Sequence, residues 1–203
     1  MTRIATLEAL EALYTATPSA AATLKEVAAL TPGYRALIAA SPFCILATSG
    51  PGGLDASPRG DAPGFVRVLD DRTLALPDRR GNNRIDSLRN IVADSRVALL
   101  FLIPGSGTTF RVTGTAAISV DPDLLASFAA AGRPPRSVLI VTVTSAYFQC
   151  PRCIVQSGLW GPPAIDPRTL PTGGALLAEA SAGRVNGAAY DAANPEAAAG
   201  TPW

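Results

Sequence analysis

The sequence predicts a mainly β, α+β domain whose strands close into a small barrel with short flanking helices. Three observations lead there. Between residues 43 and 149 the apolar residues fall into short runs rich in strand formers. Clusters of Gly, Pro and Asp punctuate those runs as turns do. The helical repeat that interrupts them, at 84–92, is short, so closure of the strands removes exposed edges most economically. At 203 residues, 48% of them hydrophobic, the chain holds one full core and is too short for two large domains.

The elements follow in order. Residues 6–40 alternate alanine- and leucine-rich pieces with Pro18 and Pro32, which cut a helical pattern into two or three short helices. At Phe43 the composition changes to "FCILATS", and "GPGG" at 50–53 is a turn. The pieces "LDASP", "GFVRVL" and "RTLALP", separated by "GDAPG" and "DD", read as a meander of short antiparallel strands. After the 84–92 helix come "RVALLFLI", "TTFRVTG", "TAAISV" and "SVLIVTVT", with a turn at 104–107 and a helix at 121–131. From 171 to 203 eleven alanines stand among glycines and prolines, with little aromatic content before Trp203. Beyond a helical turn near Leu176 this segment reads as mobile. The predicted organisation is a helical segment at 1–41 packed on the barrel, the barrel at 42–163, and a partly mobile tail at 164–203.

Charge and composition exclude whole classes of function. Seventeen basic against sixteen acidic side chains leave a net charge of +1, unlike the excess that nucleic-acid and membrane-surface binders use. The chain contains no histidine, which removes imidazole triads, histidine metal sites and histidine proton shuttles. No secretory leader pattern and no apolar run of about 18 residues is present, which predicts a cytoplasmic protein. Three cysteines do not suit a disulfide scaffold. The "CPRC" run at Cys150 and Cys153, with only Cys44 elsewhere, does not complete a four-ligand zinc site within one chain. It reads as cytosolic free thiols near the barrel, with a dithiol switch as the sharper alternative.

Against that neutral background, "LPDRRGNNRIDSLRNI" at 76–91 stands out. Arg79, Arg80, Asn82, Asn83 and Arg84 crowd the start of an amphipathic repeat in which Ile85, Leu88, Ile91 and Val92 share one face. Asn83 reads as the N-cap, with Asp86 at the third helical position in a variant capping box. Backbone N–H groups at a helix start favour an anion, and arginine forks match phosphate oxygens. The alternatives are a phosphate site or a solvated basic patch.

Three segments, "SPRGDAPGFVRVLDDRTLALPDRRGNNRIDSLRNI", "RVALLFLIPGSGTTFRVTGTAAI" and "SGLWGP", together resemble the pyridoxamine 5'-phosphate oxidase-like, FMN-binding split-barrel family, over residues 42–163. Within it the chain is most similar to the oxidase-related bacterial branch. The resemblance implies a homodimer of split β-barrels with FMN in clefts at the subunit interface. It implies that Asn82, Asn83 and Arg84 grip the FMN phosphate, Arg84 foremost, with Arg79 or Arg80 approaching the phosphate or ribityl chain. It lays the flavin ring along Ser57, Pro58 and Arg59, where Arg59 stabilises an anionic reduced flavin or else pairs with Asp61. It implies a ribityl or ring contact from Thr109, a phosphate contact from Arg111, and an aromatic from Trp160, often supplied by the second subunit.

Some features depart from that pattern. The vitamin-synthesising oxidases carry a C-terminal arginine and histidine motif, whereas this chain has an alanine-rich end without histidine. Pyridoxamine phosphate oxidation itself is therefore not expected. Gln149 and Gln156 stand where the closer branch commonly has histidine and arginine. The expected function is an FMN-dependent oxidoreductase that passes hydride between flavin N5 and a small organic substrate, with no side chain obligatory as acid or base. The alternatives are a non-catalytic flavin-binding or sensor protein, a split barrel for a deazaflavin or haem, or an empty structural dimer.

Overall fold

Alternation of buried and exposed residues builds the sheet. In the computed structural model, which describes residues 3–195, three short helices come first: α1 (Leu7–Glu11), α2 (Ala20–Thr23) and α3 (Pro32–Ala40). Helix α3 starts on Thr31, whose hydroxyl accepts from the Tyr34 N–H, with Pro32 at the first helical position. It buries Ile38 and lays Tyr34 on Phe110, ring centroids 4.8 Å apart.

Strands β1 (Phe43–Gly50) and β2 (Gly53–Gly60) form a hairpin. Then come β3 (Arg67–Val68), β4 (Thr73–Asp78), α4 (Asp86–Ala93), β5 (Arg96–Leu102), β6 (Thr109–Ser119), α5 (Pro122–Ser127) and β7 (Ser137–Gln149). All pairings are antiparallel, in the order β2-β1-β5-β6-β7-β4-β3. Inward residues meet across strands: Leu46 faces Leu99, which faces Val112, and Cys44 faces Phe101, which faces Phe110. All six are at most 1% exposed and form the centre of the core.

The mainly β, α+β class and the short flanking helices are as the sequence predicts. Two expectations are corrected. The hydrogen bonding does not close into a ring, because β2 and β3 remain ends; the open order agrees with the split barrel that the resemblance implies and not with full closure. The three strands expected as a meander are divided too, because β2 pairs only with β1 while β3 and β4 pair at the far end of the order. Pro58 suits this, since a residue without an N–H is tolerated on an edge strand.

Helix α4 also differs from its prediction. It begins at Asp86, not after an Asn83 cap, because Asn83 and Ile85 adopt left-handed backbone (φ 60° and 51°) that no helix continues. Ile85 and Val92 are exposed, and the face turned to the sheet is Ser87, Leu88 and Ile91. Asn90 donates to Thr48 Oγ1 (3.1 Å) and lies over Gly50, where a Cβ has no room. Helix α5 stops at Ser127, short of the expected 131, and Phe128 turns into a second small core with Ala75 and Val138.

The chain divides into two compact units, the first through Val155 and the second from Gln156, with α6 (Arg152–Ser157) at the division. In the second unit the helical turn expected near Leu176 is a full helix, α7 (Gly173–Ala180), followed by α8 (Gly187–Ala193). Gly174 and Gly187 let their backbones touch, and Asp191 caps α7 by accepting from the Gly174 N–H (2.8 Å). The last part of the predicted tail, 196–203 with Trp203, lies outside the described residues. Among the described residues no helix is long and apolar enough to cross a membrane.

Candidate functional site

One side-chain face of the edge strand β2 lines a cleft. Asp55, Ser57 and Arg59 alternate on that half-buried face, and the more exposed Pro58 between them also lines the cleft. Opposite stand the end of β4, the loop 79–85 and the first turn of α4. The pairing of Asp78 with Ser137 brings Arg136 and Ser137, at the start of β7, to the same place. The cleft between them has a volume of ≈ 610 Å³, within the range of roughly 300–1,000 Å³ typical of small-molecule sites.

The cleft is rich in cations. Arg59, Arg79, Arg80, Arg84 and Arg136 line it, against Asp55, Asp78 and Asp86. Two of the arginines are engaged by carboxylates. Arg79 Nε donates to Asp61 Oδ2 (2.8 Å), and its Nη1 to the Phe128 carbonyl (2.6 Å). Arg84 Nε donates to Asp86 Oδ2 (2.8 Å), with three quarters of its side chain in water. That Asp86 contact holds the Arg84 guanidinium above its ordinary range.

Arg59 does not pair with Asp61, the simpler role considered for it. Its guanidinium donates to Ser57 Oγ, the Pro58 carbonyl (2.9 Å) and Ser87 Oγ (3.3 Å), and Ser87 in turn donates to Asp55 Oδ2 (2.8 Å). The network fixes Arg59 along the cleft wall and spreads its charge toward Asp55. Arg136 Nη1 donates to Asn83 Oδ1 (2.8 Å). Asp78, within electrostatic reach of Arg59 and Arg136, has its carboxyl pushed up by burial, which the two guanidinium charges oppose. Ser137 is 6% exposed, and its Oγ has no hydrogen-bond partner among the described residues.

The structure thus gathers Ser57, Pro58, Arg59, Arg79, Arg80, Asn82, Asn83 and Arg84 around one cleft. It does not bring Thr109 or Arg111 there. Thr109 is buried opposite Gln149, and Arg111 donates to the Tyr147 hydroxyl (2.7 Å). Trp160 belongs to the second compact unit. Sequence reasoning missed Asp55, Asp78, Ser87, Arg136 and Ser137. The period-two alternation through Ser57 and Arg59 was a signal for Asp55; nothing local marked Arg136.

The model of the pyridoxamine 5'-phosphate oxidase family matches residues 30–150. No curated protein matches the chain. Among solved structures, HupZ of Group A Streptococcus is 21% identical, with 59% of this chain and 99% of that chain covered and a TM-score of 0.48. A pyridoxamine 5'-phosphate oxidase-like protein from Lactobacillus delbrueckii is 24% identical, covering 60% and 95%, with a TM-score of 0.47. A relative of general stress protein 26 from Clostridium acetobutylicum is 13% identical, covering 57% and 84%, with a TM-score of 0.44.

Proposed function

Because the chain belongs to the pyridoxamine 5'-phosphate oxidase family, we propose that its cleft binds FMN and that the protein is an FMN-dependent oxidoreductase for a small organic substrate. The observation that supports this best is the gathering of five arginines at one cleft in a chain whose net charge is only +1. The residues fit the group. A phosphate needs fork-shaped donors and positive potential, and the buried Ser137 hydroxyl lacks a partner that an anionic oxygen supplies.

When bound, FMN supplies hydride transfer at its N5 atom. The chain's own residues bind and orient. In this reading the loop residues Arg79, Arg80, Asn82, Asn83 and Arg84 form the phosphate end of the cleft, and Ser57, Pro58 and Arg59 form the ring end. Arg59 stabilises negative charge there because Ser57 and Ser87 hold its guanidinium in place before any ligand arrives. The reading includes a homodimer, in which the half-buried Arg111 reaches a cofactor from the second copy while Thr109, being buried, does not, and a cytoplasmic setting, which suits exposed free thiols at Cys150 and Cys153.

The test is an absorption spectrum of the purified protein after addition of FMN and then dithionite. Bands near roughly 370 and 450 nm that stay with the protein through desalting and bleach on reduction are expected. A protein that remains colourless after desalting removes the flavin reading.

A further inference from the structure

The resemblance directs attention to Arg84, yet Arg84 and Arg79 already face carboxylates, Asp86 and Asp61. Arg136 has no carboxylate in hydrogen-bond contact among the described residues. It spends one N–H on Asn83 Oδ1, 53 residues away in sequence, and keeps the other donors of its fork. Beside it Ser137 is nine-tenths buried with an unpartnered hydroxyl. A buried donor without a partner is rare in folded proteins and asks for a ligand or an ordered water.

Resting on the flavin reading, we infer that Arg136 and Ser137, at the start of β7, form the subsite that recognises a phosphate monoester, with Arg84 subordinate to them. The register of β4 with β7 is what builds it, since Asp78 opposite Ser137 sets the pair against the loop 79–85. Arg136 then has two tasks. Through Asn83 it holds the loop, whose backbone is left-handed at that residue, and through its remaining N–H groups it faces the anion. Ser137 adds a short hydroxyl donor from a strand that is rigid and central, where a loop donor is not.

The experiment compares FMN, riboflavin and inorganic phosphate on the full chain and on Arg136→Ala, Arg136→Lys, Ser137→Ala and Arg84→Ala. Flavin fluorescence gives affinities, and thermal unfolding gives the effect of phosphate. FMN is expected to bind more tightly than riboflavin to the unaltered chain. Arg136→Ala should weaken FMN roughly ten- to hundredfold and leave riboflavin unchanged, which is the loss of a charged hydrogen bond to the phosphate alone. Arg136→Lys should fall between, and Arg84→Ala should cost less than Arg136→Ala. Equal weakening of both flavins by Arg136→Ala and Arg136→Lys overturns the inference, since that is a purely structural role. So does FMN selectivity lost in Arg84→Ala and kept in Arg136→Ala. If neither flavin binds the unaltered chain, the flavin reading fails by itself. Stabilisation by phosphate that Arg136→Ala and Ser137→Ala abolish then upholds the subsite for another phosphate ester, and its absence removes the subsite too.

Discussion

Cys44 and Asp78 show how position sets the chemistry of a side chain. Cys44 is fully buried between β2 and β5, and burial pushes its thiol up to about 12. Cys150 and Cys153 are exposed. At pH 8, a thiol reagent should modify those two in the native protein and reach Cys44 only on denaturation; titration with and without denaturant checks this. Asp78 behaves oppositely to most carboxylates. Its folded-state value lies above the ordinary 3.8, so the folded protein holds the proton more tightly than the unfolded chain. The stability linked to Asp78 is therefore present at low pH and is lost as pH rises through the raised value. Asp78→Asn should raise the midpoint of thermal unfolding at pH 7 by a few degrees at most, because the carboxyl is partly in water. The gain should vanish below about 3.8, where both states are protonated. Neither behaviour was legible in sequence, since burial is a property of the packed sheet.

Among the elements, β6 and β7 form the longest pairing, and a bulge divides it. Thr113 faces Ser145 and Gly114 faces Val143, which leaves Thr144 as the extra residue, its hydroxyl donating to the Thr113 carbonyl (3.1 Å). Gly114 lies so close to the Thr142 carbonyl that no Cβ fits. Gly114→Ala must push the two central strands apart, at a cost of about 1–3 kcal/mol or more. Urea unfolding should show a lower midpoint, with the largest loss of amide protection along β6 and β7. The strands themselves were legible because alternation and turn residues are local signals. The start of α4 was not. "NNRID" offers two asparagines and an aspartate as caps, and nothing in those five residues marks the left-handed turns that Asn83 and Ile85 adopt.

At the scale of the molecule, the open order of the sheet leaves β2 with one side unpaired by any other strand among the described residues. The proposed homodimer predicts a solution mass twice that of the chain by light scattering, unchanged on dilution through the micromolar range. A monomer would confine the cofactor site to the single cleft and exclude Arg111 from it. The composition of the last forty residues suggested a chain with little structure, but small side chains also permit close helix contact. Gly174 and Gly187 use that property to bring α7 against α8.

Hydrophobic period, turn residues and clustered charge are written in neighbouring positions, so the mainly β class, the place of nearly every strand and the basic loop at 79–84 can be read from the chain alone. Which of those charges are already paired depends on the fold. Asp61 and Asp86 claim Arg79 and Arg84, while strand register delivers Arg136 and a buried, unpartnered Ser137 from far along the chain. Electrostatic pairing and hydrogen-bond satisfaction depend on distance in space, and it is the β4–β7 register that brings Arg136 and Ser137 to this cleft.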